Sequence, residues 1–126
     1  MKRTRRTMQV GELMRDELAR IIRHELSDPD LELVTVTNVD VAPDLHFARV
    51  WISAIGDEKK QTAAVEAVKR ADRKIRHELG RTKAFRYIPE IDWKLDTSVE
   101  YANRIEEKLR EVLPEEPETN TDDDER

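Results

Sequence analysis

The sequence predicts one α+β domain, in which helices cover one face of a three-stranded β-sheet. Three segments repeat apolar residues at steps of three and four, which is the spacing of an amphipathic helix. Three shorter segments are rich in β-branched residues or alternate apolar with polar residues, as half-buried strands do. With 126 residues, of which 37% are hydrophobic, the chain can form one modest core. It is too short for a second domain.

The first helix is predicted over residues 8–26, and Pro29 stops it because proline cannot continue a helix. Residues 1–7 are expected to form a flexible basic arm that carries Lys2, Arg3, Arg5 and Arg6. The helix should turn one apolar side towards the core. That side consists of Val10, Leu13, Met14, Leu18, Ile21, Ile22 and Leu26.

Two strands follow, over residues 32–41 and 45–55, and the short turn between them favours antiparallel pairing. In the second strand Phe47 and Trp51 share one face, on which they could stack on bases. Aromatic residues on the sheet of a small domain more often pack, so neither is assigned to a site. The opposite, aliphatic face is expected in the core and consists of Ala48, Val50, Ile52 and Ala54.

The second long helix is predicted over residues 58–79, with Gly80 as its C-terminal cap. A third strand over residues 91–95 follows Pro89 and places Trp93 in the core. Thr97 or Ser98 caps a last helix that continues to residue 112. The domain is therefore expected to span residues 1–113, and residues 114–126 are expected to form a disordered acidic tail.

The formal net charge of −5 is unevenly distributed along the chain. Residues 114–126 carry −6, which leaves +1 for residues 1–113. Within the domain, residues 69–86 contain eight bases and two acids. The bases are Lys69, Arg70, Arg73, Lys74, Arg76, Arg81, Lys83 and Arg86.

A charged run on a helix is usually only its solvated side, but such a side normally places acids four residues from bases. Here neighbouring bases repel one another, so an external polyanion should compensate. Phosphates do so by releasing counterions when Lys and Arg neutralise them. The sequence therefore predicts a nucleic-acid-binding surface at residues 69–86, to which Arg3, Arg5 and Arg6 add contacts.

Other classes of function lack their motifs. The chain has no cysteine, which excludes disulfides and thiolate metal sites and favours a reducing compartment, so a cytoplasmic protein is expected. No apolar run approaches the roughly 20 residues that span a bilayer. The three histidines have no metal-ligand spacing, and the three glycines build neither a Walker loop nor a dinucleotide-binding fingerprint. We expect neither catalysis nor a metal or cofactor.

Several motifs, taken in order, resemble bacterial ribosome-binding factor A. They are VTVTNVDVAPDL at residues 34–45, IRHELG at 75–80, RYIPE at 86–90 and LDTSVE at 95–100. The resemblance covers almost all of residues 3–112 and implies a type II KH-like domain of order α-β-β-α-kink-α-β-α, without the GxxG clamp. Family members commonly carry Ala-x-Gly at the kink, where this chain has Ala71-Asp72-Arg73.

The resemblance also implies a function. A family member would associate with the free small (30S) ribosomal subunit and assist late maturation of 16S rRNA by binding, without catalysis. The family's basic positions match Arg76, Arg81 and Arg86, whereas the other bases rest on charge alone. A monomer without a small-molecule substrate is expected. Two alternatives remain: a general KH-like RNA- or DNA-binding protein, and a protein-interaction module that docks an acidic partner.

Overall fold

The structure, a computed structural model, describes residues 3–98 and 106–110. Its elements follow the predicted order, with a kink that divides the second long helix. They are α1 (Arg5–His24), a 3-10 turn (Pro29–Leu31), β1 (Val34–Val41), β2 (Phe47–Ala54), α2 (Glu58–Arg70), α3 (Asp72–Arg81) and β3 (Glu90–Leu95).

The three strands form one sheet in the order β1-β2-β3. β1 and β2 pair antiparallel, as their short connection predicts, with Val39 opposite Val50. β3 pairs parallel to β2, with Trp93 beside Val50. A parallel neighbour requires a crossover connection, and α2 and α3 provide it.

β1 contains an irregularity at Thr37 that sets which of its residues are buried. The pairing register shifts between Val36 and Asn38, so Thr37 is an extra residue opposite β2. Because strand side chains alternate in direction, Val36 and Val39 would otherwise lie on opposite faces. Both are buried, and the displaced Thr37 hydroxyl donates to Asp96 Oδ2 at 2.6 Å.

α1 begins at Arg5, earlier than predicted, because Thr4 forms a reciprocal capping box with Thr7. The structure thus places Arg5 and Arg6 in the first helical turn and not in a flexible arm, which corrects the prediction for those residues. Most of the predicted apolar side is buried or half-buried. Leu13 is the exception, with 43% of its surface exposed.

The segment 58–79 is two helices and not the single one that its periodicity predicts. The break is at Ala71, whose φ of −87° and ψ of 2° lie outside the helical region. This is the place that the family resemblance implies. Arg73 lies in the first turn of α3, and the positive φ angles of the described non-glycine residues belong to Leu45 and Lys83. The kink therefore needs no glycine at position 73.

The core lies between the sheet and the helices. α1 packs on β1, and α2 packs on β2 and β3. Trp93 is 4% exposed, as expected from its strand position. Of the β2 residues predicted to face the core, three are fully buried: Ala48, Val50 and Ile52. Ala54 is half-buried.

A second unit begins at Thr97. Within it residues 106–110 are helical, in agreement with the helix predicted over residues 97–112. The remainder of that helix, residues 99–105 and 111–112, and the predicted acidic tail lie outside the described residues.

Candidate nucleic-acid interface

α3 carries the basic run on its solvent side. Ile75 and Leu79 are fully buried and hold the helix against the core. Arg73, Lys74 and Arg81 are exposed. The amphipathic pattern thus orients the helix so that its bases are displayed and its apolar residues are not.

Several predicted contact residues are already paired with carboxylates. Arg76 Nε donates to Asp72 Oδ2 at 3.0 Å, and Arg81 Nη1 donates to Glu78 Oε1 at 3.2 Å. Both pairs lie within α3 at the helical spacings that favour contact. The two acids of the basic run therefore neutralise two of its eight bases, and less repulsion remains than the sequence alone predicts.

Arg70 is paired across the fold. Its Nη2 lies 3.1 Å from Asp28 Oδ2 and 3.9 Å from Asp30 Oδ2. Asp28 also caps the 3-10 turn by accepting from the backbone N–H of Asp30. This backbone hydrogen bond, and then the Arg70 guanidinium, hold the pKa of Asp28 below its ordinary value of 3.8. Arg70 thus fastens the end of α2 to the segment after α1.

The remaining bases of the run have no carboxylate partner among residues 3–98 and 106–110. All of them are exposed, and they follow one another along the end of α2, the start of α3 and the loop to β3. An exposed base without an internal partner can meet a phosphate without giving up an existing ion pair. We call this set the unpaired basic surface: Lys69, Arg73, Lys74, Lys83 and Arg86.

The predicted amino-terminal contacts lie on a different element, at and just before the start of α1. Arg3 Nη2 donates to Asp40 Oδ1 on β1 at 2.8 Å. Arg5 and Arg6 are exposed in the first turn of α1, which contains no acid. Within the described part of the chain, no hydrogen bond or ion pair joins any of the three to the unpaired basic surface. Their predicted part in RNA binding stays a prediction.

The loop from α3 to β3 is fixed by local hydrogen bonds. The Thr82 hydroxyl donates to Leu79 O at 2.8 Å and accepts from the N–H of Ala84 at 3.2 Å. Lys83 has a φ of 61°, which lies in the left-handed region. Phe85 is half-buried and packs against the core. The side chains of Lys83 and Arg86 are thus presented from an ordered loop.

Two aromatic side chains, Tyr87 in this loop and His46 just before β2, were not predicted as functional. The rings of His46 and Tyr87 lie 4.9 Å apart at an angle of 53°, and 52% of the Tyr87 surface is exposed. Arg86 Cζ lies 6.0 Å from the centre of the Tyr87 ring. The one sequence signal was the position of Tyr87 directly after a base in a loop, where no core is expected.

The sheet face opposite α1 and α2 carries both polar and aromatic side chains, and those of β2 are half-buried. Arg49 Nε donates to Asp92 Oδ2 at 3.1 Å across the strands. Phe47 and Trp51 flank Arg49 along β2 and are half-buried. Their burial agrees with the interpretation of these aromatics as packing residues.

Metal sites and membrane spans are absent from the residues that the structure describes. No group of three His, Asp or Glu side chains within them is arranged to hold a metal ion. None of their helices has the length and apolar character needed to cross a membrane.

Comparison with known proteins identifies the family. Residues 6–109 match the family model described as ribosome-binding factor A. The chain belongs to the ribosome-binding factor A family. It is 45% identical over 111 residues to ribosome-binding factor A of Moorella thermoacetica, which covers 86% of this chain and 91% of the relative. The family member from Desulfitobacterium hafniense is 40% identical over 111 residues, or 88% of this chain and 89% of that one.

Solved structures of ribosome-binding factor A share the fold. The crystal structure of the Thermus thermophilus protein superposes with a TM-score of 0.61 at 28% identity, over 69% of this chain and 92% of that chain. A homology model of the same protein, fitted into the cryo-electron microscopy map of its complex with the 30S subunit, superposes with a TM-score of 0.58 at 28% identity, over 69% and 91%. The Thermotoga maritima structure, at 22% identity and a TM-score of 0.54, shows the fold alone. The KH-like fold implied by the sequence motifs is confirmed.

Proposed function

We propose that this protein binds the free 30S subunit as a monomer in the cytoplasm and assists late maturation of 16S rRNA by binding, without catalysing a reaction. The observation that carries the proposal is the unpaired basic surface, five exposed bases on a ribosome-binding factor A fold. The Thermus thermophilus relative, which has been fitted into a 30S complex, supports the choice of partner.

Binding alone suffices for such a role. A protein that binds one rRNA conformation more tightly than another shifts the folding equilibrium of the RNA towards the preferred conformation. The size of the shift is set by the ratio of the two affinities. The contact surface must therefore recognise RNA geometry, and the basic side chains of α3 and its loop start from backbone positions that the helix and the loop hydrogen bonds define.

The bases are expected to contribute unequally. Arg73 and Lys74 bring charge without an internal partner, so a phosphate contact costs them no ion pair. Arg76 and Arg81 match basic family positions. To bind a phosphate, each would have to share or break its ion pair, with Asp72 and Glu78 respectively. Arg70 is held by Asp28. We infer that charge at positions 73 and 74 matters more for affinity than charge at 70.

The chain offers a matched test of this surface. The variant pair Arg73→Glu with Lys74→Glu reverses two charges at the second and third positions of α3. The control pair Lys59→Glu with Lys60→Glu does the same at the second and third positions of α2. Acids in a first helical turn interact favourably with the helix dipole, so both variants are expected to fold. Circular dichroism checks this.

Co-sedimentation with 30S subunits over a range of salt concentrations is the measurement. The α3 variant should bind at least about tenfold more weakly, and its plot of log K against log salt should be shallower by about 1.5, because two phosphate contacts are lost. The α2 control should bind like the unchanged chain. Equal losses in the two variants would show that net charge, and not this surface, determines binding.

The same titrations separate the alternatives. A general nucleic-acid-binding protein should bind rRNA fragments, DNA and 30S subunits with equal affinity and the same salt slope. A module that docks an acidic protein should bind 30S subunits without binding rRNA fragments. Preference for 30S subunits together with measurable binding to rRNA fragments supports the proposed function.

A further inference from the structure

We propose that Tyr87, braced by His46, forms a stacking platform for one unpaired nucleobase beside the unpaired basic surface. The proposal rests on the proposed function, because it assigns to the same surface a contact that reads single-stranded RNA. The ligand that it adds is an unstacked nucleobase, which a surface that acts through charge alone does not recognise.

The first support is the exposure of Tyr87. This side chain lines an apolar depression together with Leu13 and Leu45, so it has apolar neighbours on the protein. Yet 52% of its surface is exposed, and Leu13 beside it is 43% exposed. A tyrosine that only filled the depression would leave less of its ring in water.

The second support is the fixed geometry of the pair. The His46 and Tyr87 rings lie 4.9 Å apart and tilted by 53°, so the two rings form a corner and not a parallel stack. The N–H of Glu90 donates to His46 O at 3.1 Å, which ties the start of β3 to the residue before β2. The N–H of His46 in turn donates to Asp44 Oδ1 at 3.0 Å. These bonds fix the backbone that carries the His46 ring, and that ring lies against Tyr87.

The third support is the surrounding charge. Arg86 lies at the outer limit of cation–π distance from the Tyr87 ring, and Lys83 in the same loop is exposed. A nucleotide whose nucleobase stacks on Tyr87 has its phosphates near the basic side chains of Arg86 and Lys83. Stacking and charge neutralisation then act on one nucleotide. Single-stranded nucleic acids are commonly held by this combination of aromatic platforms and cationic side chains.

The probe is a short unstructured RNA that contains one 2-aminopurine, whose fluorescence falls when it stacks. The unchanged chain should quench the probe, and Tyr87→Phe should quench it equally because the ring is kept. Tyr87→Leu keeps an apolar side chain over the depression but has no ring. It should lose the quenching and bind the RNA between about fivefold and 150-fold more weakly.

Salt titration separates stacking from charge. Tyr87→Leu removes no charge, so the slope of log K against log salt should stay that of the unchanged chain. Arg86→Ala should make the slope shallower by about 0.7, as expected for one lost contact to a single strand. A Tyr87→Leu variant that quenches and binds like the unchanged chain overturns the platform.

A readout without substitution guards against a folding defect. Ring-proton resonances of Tyr87 and His46 in the unchanged chain should shift upfield on addition of the RNA, and absence of any shift overturns the proposal. Binding to 30S subunits is measured in parallel. If subunits are bound and the RNA is not stacked, the platform fails and the proposed function stands; if the RNA is stacked and subunits are not bound, the reverse holds.

Discussion

The indole N–H of Trp93 donates to Asp72 Oδ1 at 2.9 Å, while the other oxygen of the same carboxylate accepts from Arg76 Nε at 3.0 Å. Asp72 is the first residue of α3 and Trp93 lies in the middle of β3. One carboxylate thus ties the start of the basic helix to the sheet and orients a base on that helix. The position of the kink is linked by this contact to the core.

Asp72→Ala should lower the free energy of unfolding by about 1–3 kcal/mol, because the nearly buried Trp93 N–H then lacks its acceptor. Asp72→Asn keeps an acceptor oxygen and loses only the charge towards Arg76, so it should cost less. Urea denaturation of the two variants checks the order. Equal losses would mean that the ion pair with Arg76, and not the hydrogen bond from Trp93, carries the effect.

The link between Asp28 and Arg70 predicts a pH dependence. The pKa of Asp28 is lowered by the N–H of Asp30 and by Arg70, so the folded state favours the ionised carboxylate. Its contribution to stability is therefore present above the ordinary pKa of 3.8 and is lost as the pH falls through the lower, folded-state value. Asp28→Asn should be less stable than the unchanged chain at pH 7, and the difference should shrink below pH 4.

Thermal melts of both proteins at several pH values test this. Asparagine can still cap the 3-10 turn, so the variant isolates the charge. Arg70→Gln, which removes the other partner, should show a difference with the same pH dependence. A difference between Asp28→Asn and the unchanged chain that is constant from pH 7 to pH 3 would contradict the assignment.

Gly11 marks a close approach of α1 to β1. A Cβ at this position would lie 2.8 Å from Val39 O, which is backbone and cannot rotate away. Gly11→Ala should therefore lower the free energy of unfolding, because the clash costs about 1–3 kcal/mol. The higher helix propensity of alanine offsets part of this loss.

Gly80 provides the control, because it is also helical and its added Cβ would meet only Ile88 Cγ1 at an ordinary 3.8 Å. Gly80→Ala should raise stability by up to about 1 kcal/mol. Denaturant midpoints of the two variants should thus move in opposite directions. Stabilisation by both substitutions would mean that α1 can shift away from Val39 at little cost.

The sequence predicts the elements well because their periodicities are local. It misses the break at Ala71 because Ala64, Val68, Ala71, Ile75 and Leu79 keep helical spacing through it. The spacing of core residues shows which side of a helix is buried, but it does not show a break between two helices that bury the same side. The motif resemblance locates the kink because members of the family have a kink at the matching position.

The site is predicted only in part, for a different reason. Net charge along a segment is visible in the sequence, but the partner of Arg70 lies 42 residues away at Asp28. The extra residue at Thr37 is likewise defined only by its pairing with β2. The first of these depends on the packing of α2 on the 3-10 turn and the second on the pairing of β1 with β2, and no local pattern encodes either. Folding therefore narrows a run of eight bases to five that lack a carboxylate partner among the described residues.

The last prediction concerns residues 114–126, which carry −6 of the formal charge and, apart from two prolines, contain no aliphatic or aromatic side chain. A chain that ends at residue 113 should melt as the full chain does, because no apolar group that could join a core is removed.

The net charge of the truncated chain changes from −5 to +1, so long-range repulsion of RNA is removed. The truncated chain should associate with rRNA fragments faster than the full chain at low salt. At about 0.5 M salt the two rates should converge, because charges separated by more than a few ångströms are then screened. Stopped-flow association at the two salt concentrations measures this, and an advantage that persists at high salt would point to direct contact between these residues and the RNA-binding surface.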